Sequence, residues 1–255
     1  MTKSSKITFS LITLWIISLL AMPYIERYIG EESIPYSVSI SVILQVSAVI
    51  SILFRSIGVS KTLIIALKVF IISWIIELIG SKTGIPFGVY HYTDILQPQL
   101  LGVPLLIPLA WLMMLPPSWA IARSIFKSIS PVKLALLGGL AFTAWDLFLD
   151  PQMVRWNLWV WKTEGAYFGI PIINFIGWFV SAVLITLLVR PPDMRLGSLK
   201  LIYVLTWIME TVGQIKFWGL IGSAIGGFIG MGIFIAFSYI QGYLSKKRFE
   251  NEKTS

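Results

Sequence analysis

The sequence predicts an all-α, polytopic membrane helix bundle of about eight transmembrane helices, forming a single integral-membrane domain over residues 1–255. Three observations predict it. Hydrophobic residues make up 56% of the chain and the mean hydropathy is +0.83, whereas soluble domains are roughly half apolar. Apolar runs long enough to cross a bilayer recur throughout the chain. The basic residues cluster in the short segments between these runs, which is the pattern that sets membrane orientation.

Eight apolar runs are the candidate spans. They cover about residues 7–24, 36–54, 62–80, 102–126, 132–150, 170–189, 199–215 and 218–243. Little separates the last two runs, so seven spans with one re-entrant segment is the alternative. The first run follows Lys3 and Lys6 as a signal peptide would, but no small-residue cleavage site follows Leu20. We therefore interpret it as a helix.

The basic residues predict the orientation. In an eight-span arrangement, 14 of the 20 Lys and Arg residues fall on one side. This bias predicts a multi-pass protein of the cell membrane with both termini in the cytoplasm, and residues 246–255 as a short basic cytoplasmic tail. The membrane acids then share the outer side. They are Glu77, Asp146, Asp150 and Glu210, with Asn174 at the same level.

Composition excludes several kinds of chemistry. There is no cysteine, so disulfides, thiolate metal sites and cysteine nucleophiles are excluded. The single histidine, His91, cannot build a histidine-rich metal centre. We expect no metal and no cofactor. The net charge of +8 lies in the loops between spans, so we expect no nucleic-acid partner.

One stretch, from Trp145 to Trp178, organises the candidate site. Asp146 and Asp150 are four residues apart, so they share one helical face. Pro151 is predicted to end that helix, and a Trp-rich loop follows, which we interpret as an interfacial belt. A second apolar helix then carries Asn174. Polar groups so close to hydrocarbon are expensive and indicate a function.

Short local sequences recur along the chain. Gly102–Trp111 aligns without gaps to Gly169–Trp178, and Trp74–Gly80 aligns to Trp207–Gly213. The Trp145-Asp146 corner is a looser third copy. We infer parallel repeats of helix pairs around a shared interior. The prolines of the fourth span predict a broken helix that forms one wall of the site.

Carboxyl groups in an aromatic, low-dielectric pocket favour acid chemistry. Burial favours the neutral form of a carboxyl group, which is then a proton donor, and aromatic faces stabilise a neighbouring cation. The natural reaction is protonation of an alkene to a tertiary carbocation, captured by water or by a second alkene. The alternative is that the acids only tie helices together. The candidate catalytic residues are Asp146, Glu77 and Asp150. The candidate substrate-binding or water-binding residues are Asn174, Tyr90, Tyr92, Trp111, Trp145, Trp178 and Glu210.

Four segments resemble a known family. They are ELIGSKTGIPFGVYHY (77–92), LLGVPLLIPLAW (100–111), WDLFLDPQMV (145–154) and GAYFGIPIINFIGW (165–178). They resemble the integral-membrane carotenoid biosynthesis hydratases, which include γ-carotene 1′-hydratases of bacteria and bisanhydrobacterioruberin hydratases of haloarchaea. The resemblance is good over roughly residues 70–180. The loop from Pro151 to Thr163 departs from the family, with a basic Arg155 and many tryptophans. This difference bears on which carotenoid end fits.

The resemblance implies addition of water to the terminal isopropylidene double bond of an acyclic carotenoid end, giving a tertiary alcohol without cofactor or metal. It implies a long-chain carotenoid or other isoprenoid as substrate, the lipid bilayer as surroundings, and other enzymes of carotenoid biosynthesis as partners. As hypotheses on this basis, Asp146 or Glu77 donates the proton and Asp150 with Asn174 holds water. Tyr90 and Tyr92 support them.

Three other functions fit parts of the sequence. A carotenoid cyclase or isomerase would use the same carbocation and exclude water. A proton-coupled transporter would also have repeats, broken helices and buried acids. A non-catalytic membrane scaffold would use the acids only as helix ties.

Overall fold

Eight helices in the described part of the chain form a bundle, as expected from the eight apolar runs. The computed structural model describes residues 3–126 and 128–254. The helices are α1 Lys3–Ile29, α2 Ile34–Ile57, α3 Val59–Thr83, α4 Leu106–Ile125, α5 Pro131–Arg155, α6 Ile172–Val189, α7 Leu196–Gly213 and α8 Ile221–Thr254. A 3₁₀ turn, Glu31–Ser33, joins α1 to α2, and a π-helical turn, Gln214–Trp218, joins α7 to α8. The predicted tail at 246–255 continues α8 up to Thr254; its cytoplasmic location stays a prediction.

Seven helices in the described part of the chain are long and apolar enough to cross a membrane, namely all except α4. Their outward faces carry exposed apolar side chains, such as Ile225, Phe228 and Ile229 on α8. Such faces are stable against lipid and costly against water. The fold is therefore the predicted polytopic membrane bundle.

Helix α4 lies at the centre of the bundle. It packs against α2, α3, α5, α7 and α8, and 16 of its 20 residues are buried. The expected break in this helix does not occur. Helix α4 continues through Pro116 and Pro117 without interruption. Pro108 lies in the first turn, where the missing N–H has no helical partner to lose. The neighbouring helices thus enclose α4 on all sides.

Pro151 does not end helix α5, contrary to the prediction. The helix continues for one more turn to Arg155. A proline leaves the carbonyl four residues earlier without its helical donor, and here that carbonyl belongs to Leu147. It accepts instead from the Tyr167 hydroxyl at 3.0 Å and the Ser223 hydroxyl at 2.9 Å. These two donors satisfy the carbonyl, and the extra turn is kept.

Four short strands form at the connections between helices. They are β1 Tyr90–Tyr92, β2 Gln99–Leu100, β3 Val103–Pro104 and β4 Trp159–Trp161. Strand β1, from the α3–α4 connection, pairs antiparallel with β4, from the α5–α6 connection. The two connections therefore form one cap at the end of the bundle where α3 and α5 finish and α4 and α6 begin.

The two copies of the longer repeat adopt the same turn. Gly102 and Gly169 have φ of 86° and 82°, and the residues before them, Leu101 and Phe168, have φ of 55° and 53°. Positive φ favours glycine, which explains why glycine begins both copies. A short extended segment follows in each case, and then α4 or α6 begins.

Candidate active site

Polar side chains from three helices lie together beneath the cap. Glu77 is in the last two turns of α3, Asp146 and Asp150 are near the end of α5, and Asn174 is in the first turn of α6. All four side chains are at most 2% exposed. The sequence analysis assigned these residues to one level of the bundle, and the structure brings them together. The side of the membrane on which they lie stays a prediction.

The two aspartates of α5 converge on one amide. The Asn174 side-chain nitrogen donates to Asp146 Oδ2 at 3.1 Å and also donates to Asp150 Oδ2. Asp150 Oδ1 accepts from the Trp159 indole at 3.1 Å. Asp146 Oδ1 is buried and has no hydrogen-bond partner among the described residues. The helical spacing of four residues thus produces a carboxyl pair with a shared donor.

Glu77 is held by three donors. Its Oε2 accepts from the hydroxyls of Tyr90 and Tyr92, both at 2.7 Å, and its Oε1 accepts from the Trp111 indole at 2.9 Å. Burial, and then the neighbouring Glu77 carboxylate, raise the pKa of Tyr90 well above its usual value. The hydroxyl therefore keeps its proton and can donate to Glu77.

The β1–β4 pairing explains how the cap reaches the acids. Tyr90 lies opposite Trp161 and Tyr92 opposite Trp159, while His91 lies opposite Val160. Because side chains alternate across a strand, the Tyr and Trp residues share one face. That face contacts the acids, and His91 on the other face is exposed, as expected for a loop residue.

The interpretation of the tryptophans as an interfacial belt is wrong for two of them. Trp159 and Trp161 are only 5% and 8% exposed. Trp159 donates to Asp150, and the Trp161 indole donates to the Phe87 carbonyl at 3.2 Å. Trp159 and Trp161 are two residues apart, as are Tyr90 and Tyr92, and this shared alternation was the available signal. It indicates that the tryptophans point into the bundle only once the two strands are known to pair.

Three of the predicted tryptophans form a wall beside the acids. Trp111 stacks on Trp178 with ring centroids 5.0 Å apart, and Phe142 stacks on Trp178 at 5.3 Å. Trp145 meets the edge of Trp178, with centroids 6.1 Å apart. Aromatic faces of this kind stabilise a neighbouring cation.

A small cavity of about 20 Å³, room for about one water molecule, lies between the acids. Glu77 lines it from α3, Asp150 from α5 and Asn174 from α6, and Tyr90, Tyr92 and Trp178 also line it. Asp146 and Trp111 are not on its wall: Asp146 contacts Asn174, and Trp111 contacts Glu77. A reacting group in this cavity would therefore meet Glu77 and Asp150 from different helices.

Glu210 does not join this group. It lines a larger neighbouring chamber of about 100 Å³, which Trp145 also lines. Ile107, Leu149 and Trp159 line both spaces and separate them.

Gln45 and Gln152, which no sequence pattern indicated, also line the larger chamber. Each is 4% exposed. Gln152 lies just beyond Pro151, where the helix was expected to end, so it was not placed inside the bundle. Gln45 lies within an apolar run, and the run carried no further signal.

No group of three or more His, Asp or Glu side chains within residues 3–126 and 128–254 is arranged to hold a metal ion. The polar groups of the site are instead paired with indole, amide and phenol donors. The arrangement can bind, donate and accept protons.

A known protein family matches most of this chain. A family model described as "Carotenoid biosynthesis protein" matches residues 37–240 of the 255. A bisanhydrobacterioruberin hydratase from Haloarcula japonica is 31% identical over 119 residues, which cover 46% of this chain and 40% of that protein. The chain thus aligns with less than half of this relative's length. No solved structure matches it.

Proposed function

Since this chain belongs to the carotenoid biosynthesis protein family, we propose that it is a hydratase that adds water to the terminal isopropylidene double bond of an acyclic carotenoid. The family and the similar hydratase support a carotenoid-modifying enzyme with a lipophilic isoprenoid substrate. Hydration itself, and the hydro-lyase class, are our proposal. The product is a tertiary alcohol.

One observation carries the proposal. Asp150 and Glu77 line the same small cavity from two different helices, and Trp178 also lines it. Addition of water to an alkene needs one group that gives a proton to carbon and one that takes a proton from water. Two carboxyl groups across a small cavity, with an aromatic wall for the cation, provide both.

Asp150 donates the proton in this scheme. It shares the Asn174 amide with Asp146, and two negative charges so close together in a dry interior are costly, so the pair holds one proton between its carboxyl groups. The proton passes from Asp150 to the inner carbon of the double bond, the one that carries a hydrogen and is attached to the rest of the chain. The π bond breaks, a C–H bond forms, and the positive charge stays on the tertiary carbon. Asp146, which does not line the cavity, positions Asp150 and its proton.

Glu77 accepts the second proton. The Tyr90 and Tyr92 hydroxyls hold its carboxylate. A water molecule attacks the tertiary carbon, and Glu77 takes a proton from it as the C–O bond forms. The net change is one alkene and one water to one alcohol. The proton then returns from Glu77 to Asp150, which restores the starting state.

The larger chamber provides space for the rest of the substrate. Its walls are mainly apolar, and it adjoins the acid cavity through Ile107, Leu149 and Trp159. A carotenoid is a long hydrocarbon dissolved in the bilayer, so an apolar entrance favours it. Its end group would then lie at Ile107, Leu149 and Trp159, where the chamber meets the acid cavity, while the remainder stays in the chamber and the lipid.

Expression in a host that accumulates lycopene tests the proposal. The wild-type protein should yield a pigment heavier by one water. Asp150→Asn should reduce that product about 10²–10⁴-fold, the range that a lost general acid costs. Asp94→Asn, at an exposed carboxyl group on the same cap, is the matched control and should keep full activity. All three proteins must be present in the membrane in equal amounts.

The product also separates hydration from its rivals. A new pigment of unchanged mass would indicate that the enzyme catalyses cyclisation or isomerisation through the same cation, and not hydration. Unchanged pigment, in spite of confirmed membrane expression, would contradict the proposal. Proton-coupled flux in proteoliposomes would then be measured for the transporter alternative.

A further inference from the structure

Among the residues that line the larger chamber are four polar groups that hydration does not use. It lies between α1, α2, α4, α5 and α7. Four of the seven buried side-chain nitrogen and oxygen atoms that have no partner in the described part of the chain belong to residues lining it. They are the indole nitrogens of Trp15, Trp145 and Trp156 and the Glu210 Oε2.

These four atoms indicate a polar ligand. A buried donor or acceptor without a partner is costly, and native proteins leave few of them. Trp15 and Trp145 are each 1% exposed, so bulk water does not solvate them. A pure hydrocarbon would fit the apolar walls but could satisfy none of these groups.

The donors and acceptors of the chamber match a hydroxyl group. A hydroxyl has one hydrogen to donate and two lone pairs to accept. The Glu210 carboxyl can accept that hydrogen, and the indole N–H groups can donate to the oxygen. None of the described residues that line the chamber is Lys, Arg or His, so a carboxylate or phosphate would be bound without a counter-charge, which is unfavourable.

We propose that this chamber is a binding site for the hydroxyl group of an isoprenoid alcohol, with Glu210 as its acceptor and Trp145 as one of its donors. That the chain of the ligand is an isoprenoid rests on the proposed function. The hydroxyl has two sources: the alcohol that the acid cavity has just formed, or an alcohol already present at one end of a substrate whose other end reacts.

The internal repeat supports a second polar site here. Glu77 and Glu210 occupy the same position in the aligned segments Trp74–Gly80 and Trp207–Gly213. Each is followed three residues later by a glycine against which an aromatic ring packs: Phe87 on Gly80 and Trp218 on Gly213. Glu77 has three donors from the protein, whereas Glu210 Oε2 has none in the described residues. A ligand hydroxyl would be its counterpart.

Equilibrium binding tests the site independently of catalysis. The protein carries Asp150→Asn to prevent turnover, and quenching of tryptophan fluorescence by the polyene reports binding in detergent. The probes are lycopene and its mono-hydrated tertiary alcohol. We expect the alcohol to bind about tenfold more tightly, as one buried hydrogen bond predicts. Glu210→Leu should remove this preference and keep the affinity for lycopene.

Two further variants keep the test falsifiable if Glu210→Leu fails to fold. Trp145→Phe removes one indole N–H and keeps most of the ring, so it should lower the preference severalfold. Glu77→Gln changes the aligned carboxyl in the other cavity and should leave the preference intact. Equal affinities for alcohol and hydrocarbon in the parent protein would overturn the proposal. So would a preference that survives both Glu210→Leu and Trp145→Phe.

Turnover by the protein with Asp150 intact distinguishes the two sources. If the chamber holds the newly formed alcohol, the alcohol inhibits hydration of lycopene, and Glu210→Leu relieves the inhibition. If it holds a hydroxyl already on the substrate, the mono-hydrated carotenoid has the higher kcat/KM at its remaining end, and Glu210→Leu removes that advantage. Failure of hydration with the binding preference intact would contradict the proposed function alone.

Discussion

Trp111 and Trp178 stack face to face, with ring centroids 5.0 Å apart and ring planes 19° apart. They are the last residues of the two aligned segments Gly102–Trp111 and Gly169–Trp178. The repeat therefore brings its own copies into contact in the interior, beside Glu77 and Asn174. Trp111 donates to Glu77 at 2.9 Å, and Trp178 lines the acid cavity.

Replacing Trp111 by Phe should reduce activity by removing the indole donor to Glu77 while a ring remains for stacking. Trp119→Phe is the matched control. Trp119 is on the same helix, is equally buried, and donates its indole N–H to the Thr186 hydroxyl at 2.8 Å. Both variants should lose about 1 kcal/mol of stability in thermal unfolding. Only Trp111→Phe should lower the rate of hydration, and equal rates for the two variants would separate Glu77 from catalysis.

Removal of the Asn174 amide should show how strongly the buried pair of Asp146 and Asp150 destabilises the fold when its shared donor is missing. Asn174→Leu leaves two buried carboxyl groups without their common donor, so we expect a loss of about 3 kcal/mol or more together with the loss of activity. Adding Asp146→Leu to this variant should recover stability because one buried carboxyl group is gone, but it should not recover activity. A double variant less stable than Asn174→Leu, in thermal unfolding in one detergent, would contradict this account of the pair.

The Leu147 carbonyl provides a test of how α5 passes Pro151. Tyr167→Phe removes one of the two hydroxyl donors to that carbonyl and should cost about 1 kcal/mol. In a Pro151→Ala background the new backbone N–H can bond to the same carbonyl. The stability lost on Tyr167→Phe should then fall to a few tenths of a kcal/mol, roughly the size of a redundant hydrogen bond. The double-mutant cycle measures this coupling. Additive effects would show that the hydroxyl does not replace the missing helical bond.

Tyr90 should make stability depend on alkaline pH. Its pKa in the folded protein is raised well above the usual value of 10.0 by burial and by Glu77. Above that usual value the unfolded chain loses the phenol proton and the folded chain keeps it, so the free energy of unfolding falls as pH rises. Below it this contribution is fully present. Tyr90→Phe should therefore flatten the decline above about pH 10, measured by denaturant titration, and an unchanged slope would contradict the assignment.

Hydropathy and charge were enough to predict the bundle, because each span is a separate apolar run between basic loops. The acid site was also largely predictable: Asp146 and Asp150 are placed on one face by helical spacing, and Asn174 is placed at their level by its position at the start of the sixth apolar run. Periodicity alone did not reveal that α4 is enclosed by the other helices, since a buried helix and a lipid-facing helix are both apolar.

The remaining parts depend on contacts between distant segments. The sequence analysis ended α5 at Pro151, because the donors that replace its missing bond come from Tyr167 and Ser223, far along the chain. The burial of Trp159 follows from strand pairing with Tyr92. The separation of Glu210 from the other acids is likewise a tertiary result, as the spacing along each helix fixes depth and not the neighbour.

The most direct test of the central claim is hydration by the purified protein in water labelled with heavy oxygen. We predict an alcohol that carries one heavy oxygen, formed from lycopene without added reductant, at a rate that Asp150→Asn lowers about 10²–10⁴-fold. The alcohol should form equally well when dioxygen is removed. An alcohol whose oxygen comes from dioxygen, or an Asp150→Asn protein with the wild-type rate, would contradict acid-catalysed addition of water at this site.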